Sequence, residues 1–128
     1  MVDSAAVAAR SAEAVQEAAG NMDRLETLLQ YHQEDPDDRF MRFAVASEYR
    51  KRGDLETALT WFEGLLEMDA SYVGTYYHLG KLYEELNRKE DAIKTYRTGI
   101  TTAGDQSDFH ARSELQSALL EAEGLGFD

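Results

Sequence analysis

Shifted by 34 residues, the middle of this chain matches itself. Val45 falls on Leu79, Ala46 on Gly80, Tyr49 on Tyr83, Ala58 on Ala92, Leu59 on Ile93, Phe62 on Tyr96 and Leu66 on Ile100. Small residues meet small ones, aromatics meet aromatics and aliphatics meet aliphatics. A period of this length means that one supersecondary unit is stacked on copies of itself.

Each unit reads as a helix pair. In the first copy, Asp35-Pro36-Asp37-Asp38 supplies a start: a capping acid, Pro at the first helical position, and acids at the positive helix end. Phe40, Phe43, Val45, Ala46 and Tyr49 follow at helical spacing. Gly53 permits a left-handed stop, and Asp54 can cap the next helix, whose apolar stripe is Leu55, Ala58, Leu59, Phe62, Leu65 and Leu66. In the second copy, Ser71 opens the first helix. Asn87 with Glu90 reads as a capping box for the second. Gly104 ends that helix, and Asp105 can cap a last amphipathic helix over about 107–123.

Ahead of Pro36, residues 22–33 place Met22, Leu25, Leu28 and Leu29 on one face, as in the second helix of a degenerate earlier unit. Residues 1–20 are Ala-rich and read as a helix or a frayed segment, with 4–19 as the helical stretch. The expected organisation is that segment, a helical domain over 21–123 with repeats at about 37–70 and 71–104, and a tail at 124–128. The fold class is all-α: an antiparallel helix-pair solenoid of about two full repeats with flanking capping helices.

The spacing resembles the tetratricopeptide repeat, whose pattern runs Trp, Leu-Gly, Tyr, Ala, Phe, Pro. The second copy offers Tyr76, Leu79-Gly80, Tyr83, Ala92 and Tyr96, with Gly104 where Pro is usual. The first offers Arg42, Val45-Ala46, Tyr49, Ala58 and Phe62, with Ala70 in that place. The match covers Asp35 to about Gly104. Small residues at Ala46, Gly80, Ala58 and Ala92 let helices approach, and the aromatics fill the space beside them.

The resemblance implies that the first helices of successive repeats line a concave groove that takes an extended peptide or a partner helix. Matching positions are Phe43, Ser47 and Arg50, then Tyr77, His78 and Lys81, then Arg112 and Leu115. Arg50, Lys81 and Arg112 stand out because cations are scarce here, and together they suit a carboxylate or an acidic peptide. The opposing reading has them balanced by neighbours such as Glu84 and Glu85. Phe40 and Tyr76 read as filler between repeats, and Trp61 as packing on the convex side. One subclass of the family grips a C-terminal carboxylate with a fixed Lys, Asn and Arg set. The corresponding positions here are Phe43, Ser47, His78, Asp108 and Arg112. Only Arg112 agrees, and Asp108 would repel the ligand.

Charge narrows the partners. There are 25 acidic and 13 basic side chains, for a formal net charge of −12. Such a surface repels nucleic acid and anionic membranes, and neither is an expected partner. The bases are nine Arg and four Lys. An acidic, Lys-poor surface suits a saline cytoplasm, where salt screens self-repulsion, or a basic partner, and it is also that of an ordinary acidic protein.

No catalytic constellation is found. There is no Cys, and hence no disulfide framework or thiolate ligand. His32, His78 and His110 lie on different helices without the paired spacing that metal sites use. Glu84 and Glu85 are adjacent, point apart on a helix and read as solvated surface. Gly-rich phosphate loops and nucleophile elbows are absent. No apolar run is long enough to span a bilayer, and residues 1–20 lack the pattern of a secretory signal.

The chain therefore reads as a cytoplasmic, non-catalytic protein-binding module without cofactor or metal, as a monomer or weak homodimer. The alternative is a structural protein that self-assembles through its exposed solenoid ends.

Overall fold

The computed structural model describes residues 23–124. The segment at 1–20 and most of the tail at 124–128 lie outside the described residues. Among the described residues the secondary structure is all helical. The elements are α1 (Arg24–Glu34), α2 (Arg39–Lys51), α3 (Leu55–Met68), α4 (Gly74–Glu85), α5 (Lys89–Asp105) and α6 (Phe109–Ala122). Each helix packs on its sequence neighbours, and α4 also reaches α6. This is the stacking of a helical solenoid.

Several helix boundaries differ from the sequence reading. Asp35 and Pro36 do not start α2. Asp35 instead closes α1, its N–H donating to the Tyr31 carbonyl, and Asp38 caps α2 by accepting from Met41 N at 3.0 Å. Of several acids in a row, the cap is the one standing just before the first residue that tertiary packing holds helical. Ser71 does not open α4. It turns back, its hydroxyl and N–H both donating to Asp69, and α4 begins at Gly74 without a side-chain cap. Asn87 is not a capping residue: at φ 60° it takes the left-handed position that ends α4. Gly104 stays inside α5. Ser107, at φ 58°, takes the left-handed step, and Asp108 rather than Asp105 caps α6 through Ala111 N at 3.1 Å. Gly53 and Asp54 hold the expected roles, with φ 85° and a cap to Thr57 N at 3.4 Å.

The core is built from the repeat positions. Val45, Ala46, Ala58, Phe62, Ala92 and Tyr96 are fully buried, and Leu79 nearly so. At Gly80 the Tyr96 ring of α5 lies directly against the α4 backbone, since a Cβ there would overlap the ring. Tyr96 is tied down at its other end, its hydroxyl donating to Glu84 at 2.5 Å. Glu84 is thus a half-buried acceptor and not the solvated surface group that its sequence context indicated. Tyr76 is filler between repeats as expected: it is buried, and its hydroxyl donates to the Ala70 carbonyl at 2.5 Å. Phe40 is not filler among the described residues, being 66% exposed.

One polar cluster fastens α1 to α2. Glu48 is buried and lies 3.6 Å from Arg24 and 3.1 Å from Arg52, which also reaches Asp23, the cap of α1, at 2.5 Å. Two guanidinium groups thus flank one enclosed carboxylate, which supplies the partners that a buried ionic group needs. On the other side of α1, Trp61 packs edge-on against His32 with ring centres 4.8 Å apart, and stacks with Tyr49.

Candidate functional site

The first helices of the hairpins, α2, α4 and α6, share one face, which carries three adjoining depressions. The first, about 460 Å³, is lined by Arg24, Phe40, Phe43, Ala44, Ser47, Glu48 and Lys51. The second, about 320 Å³, lies between α2 and α4 against Ser47, Arg50, Lys51, His78 and Glu85. The third, about 250 Å³, lies between α4 and α6, with Tyr77, Lys81, His110, Glu114, Ser117 and Glu121 among its walls.

Aromatic rings floor the middle of this face. Phe43 meets His78 edge-on with ring centres 5.0 Å apart, and Phe62 of α3 beneath it at 5.9 Å. His78 lies parallel to Phe62 and edge-on to Tyr77 at 5.5 Å. All three groove-side rings are half-buried. They are pinned from below and open from above, which is how interface anchors are presented.

The structure brings together Phe43, Ser47, Arg50, Tyr77, His78 and Lys81. It does not bring Arg112 to them. On α6 the groove-side positions are His110, Glu114, Ser117 and Glu121, and Arg112 falls on a different side of the helix. Its guanidinium covers the Phe109 ring, centre 5.3 Å away, and its stem lies beside Gly104. Leu115 is buried against Gly99 and does not line the groove. The register that carries groove positions from α2 to α4 is lost at α6, because α6 closes the described stack and turns that side of its surface onto α5.

Nor are the remaining cations free. Arg50 is bonded to Glu85 at 2.5 Å, and Lys81 stands 3.8 Å from Glu84 and 3.7 Å from Glu121, above the Tyr77 ring. The balanced reading of these charges holds, and the cation trio suited to an acidic ligand is not assembled.

The setting of His78 favours its neutral form. Burial holds it below its ordinary value of 6.5, the Arg50 charge adds to that, and Glu114 pulls the other way. His32 is lowered in the same direction by burial and by Arg42. On unfolding, both imidazoles regain the ordinary value. Just below pH 6.5 the unfolded chain therefore binds more protons than the folded one, and stability rises with pH across that window. The protein keeps this part of its stability above 6.5 and loses it as pH falls towards the folded values. Thermal melts across a pH series are expected to show that decline. The variant His32→Asn with His78→Asn should flatten it. An unchanged slope would mean that neither ring titrates between the two states.

Two matches place the chain among known proteins. A TPR repeat family model matches residues 46–87, and a tetratricopeptide repeat model matches residues 73–106. The solution structure of a tetratricopeptide repeat domain protein from Salinibacter ruber is 52% identical, covering 73% of this chain and 95% of that one, with a TM-score of 0.68. The chain belongs to the tetratricopeptide repeat family. A crystal structure of a tetratricopeptide repeat domain protein from Salinibacter ruber is 53% identical over 69% of this chain and 99% of that one, at a TM-score of 0.66. The type III secretion translocator chaperone SycD of Yersinia enterocolitica shares the fold at a TM-score of 0.76 and 11% identity, covering 96% of this chain and 87% of that one. No curated protein matches the chain. Tetratricopeptide repeats are typically non-catalytic interaction modules that bind protein partners. Among the described residues, no helix is long and apolar enough to cross a membrane.

Proposed function

We propose that this tetratricopeptide protein is a non-catalytic module that holds a peptide or helix of a partner protein along the α2–α4–α6 face. The observation that carries this reading is the row Phe43, His78 and Tyr77, the first two resting on Phe62 and the third set edge-on against His78, with depressions on both sides. Rigid aromatic surface binds at little entropic cost, because the rings are already held in place. Phe43, Ser47, Arg50, Tyr77, His78 and Lys81 are the contacts in this reading, and Arg112 is left out.

Substituting Tyr77→Ala, or blocking the groove with Ser47→Tyr, is expected to weaken partner binding by roughly tenfold or more while the melt stays cooperative, since losing an interface hot spot costs about 2 kcal/mol or more. Binding measured by titration calorimetry that is unchanged in both variants would remove this face as the site.

One observation favours self-assembly as a second reading. Phe109 and Leu120 are 62% and 48% exposed. They lie eleven positions apart on α6, which puts them on one stripe of the helix. If that stripe pairs with another copy, light scattering should show mass rising with concentration, and Phe109→Ser with Leu120→Ser should hold the protein at monomer mass. A wild type that stays monomeric throughout would end this reading.

A further inference from the structure

The groove is not uniform in charge. Beside α2 the depressions carry Arg24, Arg50 and Lys51 with Glu48 and Glu85. Between α4 and α6 the balance reverses: Lys81 faces Glu84, Glu114 and Glu121. Glu84 is already engaged by the Tyr96 hydroxyl. The other two are open, Glu114 with 54% and Glu121 with 65% of the side chain exposed. Among the described residues Glu114 pairs with the His110 imidazole, at 3.2 Å. Glu121 has, among the described residues, only the Lys81 ammonium, at 3.7 Å.

We infer that this third depression is the seat for a basic side chain of the bound peptide, an Arg or Lys that follows the apolar residue resting on Phe43 and His78. This inference rests on the groove reading above and names the chemistry of its ligand. Lys81 shows internally what such a side chain would meet, since its ammonium lies 5.6 Å above the Tyr77 ring and within reach of Glu121. An incoming cation finds that same aromatic wall for its stem, two exposed carboxylates for its head and the Ser117 hydroxyl beside them. Complementarity on the larger scale agrees. A chain of net charge −12 draws cationic segments from a distance, and Arg24, Arg50 and Lys81 on its own groove are paired with acids. The acidic peptide that Arg50, Lys81 and Arg112 first suggested is the wrong sign for this end.

The test is selection of displayed random peptides on the full chain, followed by titration of one enriched peptide. Enriched sequences should pair an aromatic or aliphatic residue with a nearby Arg or Lys. The variant Glu114→Gln with Glu121→Gln alters only exposed side chains and should lower the affinity of such a peptide by about tenfold, the usual weight of a charge-assisted bond. That loss should shrink as salt is added. Enrichment of acidic or uncharged peptides that still depend on Tyr77 would overturn the basic-ligand inference and leave the groove reading standing. So would a basic peptide whose affinity the Gln variant does not change. Peptides indifferent to Tyr77→Ala and to a blocking Ser47→Tyr change would sink the groove reading itself. Failure to enrich any peptide would count against both.

Discussion

Deleting residues 106–128 should abolish cooperative unfolding, leaving a chain that melts gradually or aggregates. The reason lies in what α6 covers. Leu115, Ala118 and Ala122 are buried, and Leu115 reaches the Gly99 backbone where α5 meets Tyr76 of α4. Removing the helix uncovers the α5 surface it packs on, the contact at Gly99 included. Each large apolar side chain returned to water costs about 1.5–3 kcal/mol. A domain of this size has only about 5–15 kcal/mol in total. A solenoid repeat cannot bury its face alone, so the loss is not repaired by local rearrangement. Urea denaturation followed by circular dichroism reads this directly. A sharp transition in the truncated protein, with a slope reduced only in proportion to its length, would show that α1–α5 are self-sufficient.

The second large effect comes from a single methyl group. Gly99→Ala would place a Cβ 2.5 Å from the Cβ of Tyr76 and 3.0 Å from Leu115. Tyr76 cannot withdraw. It is 2% exposed, its Cβ is set by the α4 backbone, and its hydroxyl is bonded to the Ala70 carbonyl. Helices α4 and α5 must therefore move apart. Overpacking of this kind costs about 1–3 kcal/mol, occasionally more. Against it stands the better helix propensity of Ala, worth about 1 kcal/mol. The clash is with backbone-fixed atoms, so it outweighs the propensity and the variant should melt several degrees lower. Gly64→Ala supplies the control, because a Cβ there meets nothing within 4 Å. It should gain about 0.5–1 kcal/mol from propensity alone. Paired melts of the two variants should move in opposite directions. A Gly99→Ala protein as stable as the Gly64→Ala one would mean that the α4–α5 contact is looser than described.

The Gly99 contact also shows where legibility stopped. The period of 34 residues made the helix pairs readable, together with nearly every buried repeat position, because burial repeats when the same unit stacks on itself. It also concealed Gly99. Shifted by one period, Gly99 falls on Leu65 and Tyr76 falls on Arg42. At this contact a large ring stands against a missing side chain, and neither member matches its counterpart one period earlier, so the repeat pattern is broken there. That break was the available signal. The helix ends were less legible, since runs such as Asp35 to Asp38 hold several capable caps and tertiary packing chooses among them. Charged groove residues were legible by position but not by partner. The repeat places Arg50 and Lys81 on the groove side, whereas their pairing with Glu85 and Glu121 depends on which side chains cross from other helices. Arg112 illustrates the limit of carrying a register forward: α6 ends the described stack, and the position equivalent to His78 no longer faces another repeat.

The most informative single measurement is a nitrogen-15 NMR titration of the full chain with an enriched peptide, following every backbone amide. If the α2–α4–α6 face is the binding site, the shifts will cluster at Phe43, Ser47, Tyr77, His78 and Lys81 and extend to Glu114 and Glu121. Shifts centred instead on Phe109 and Leu120, or on the His32–Trp61 side, would contradict it and move the working surface to an end or to the opposite face.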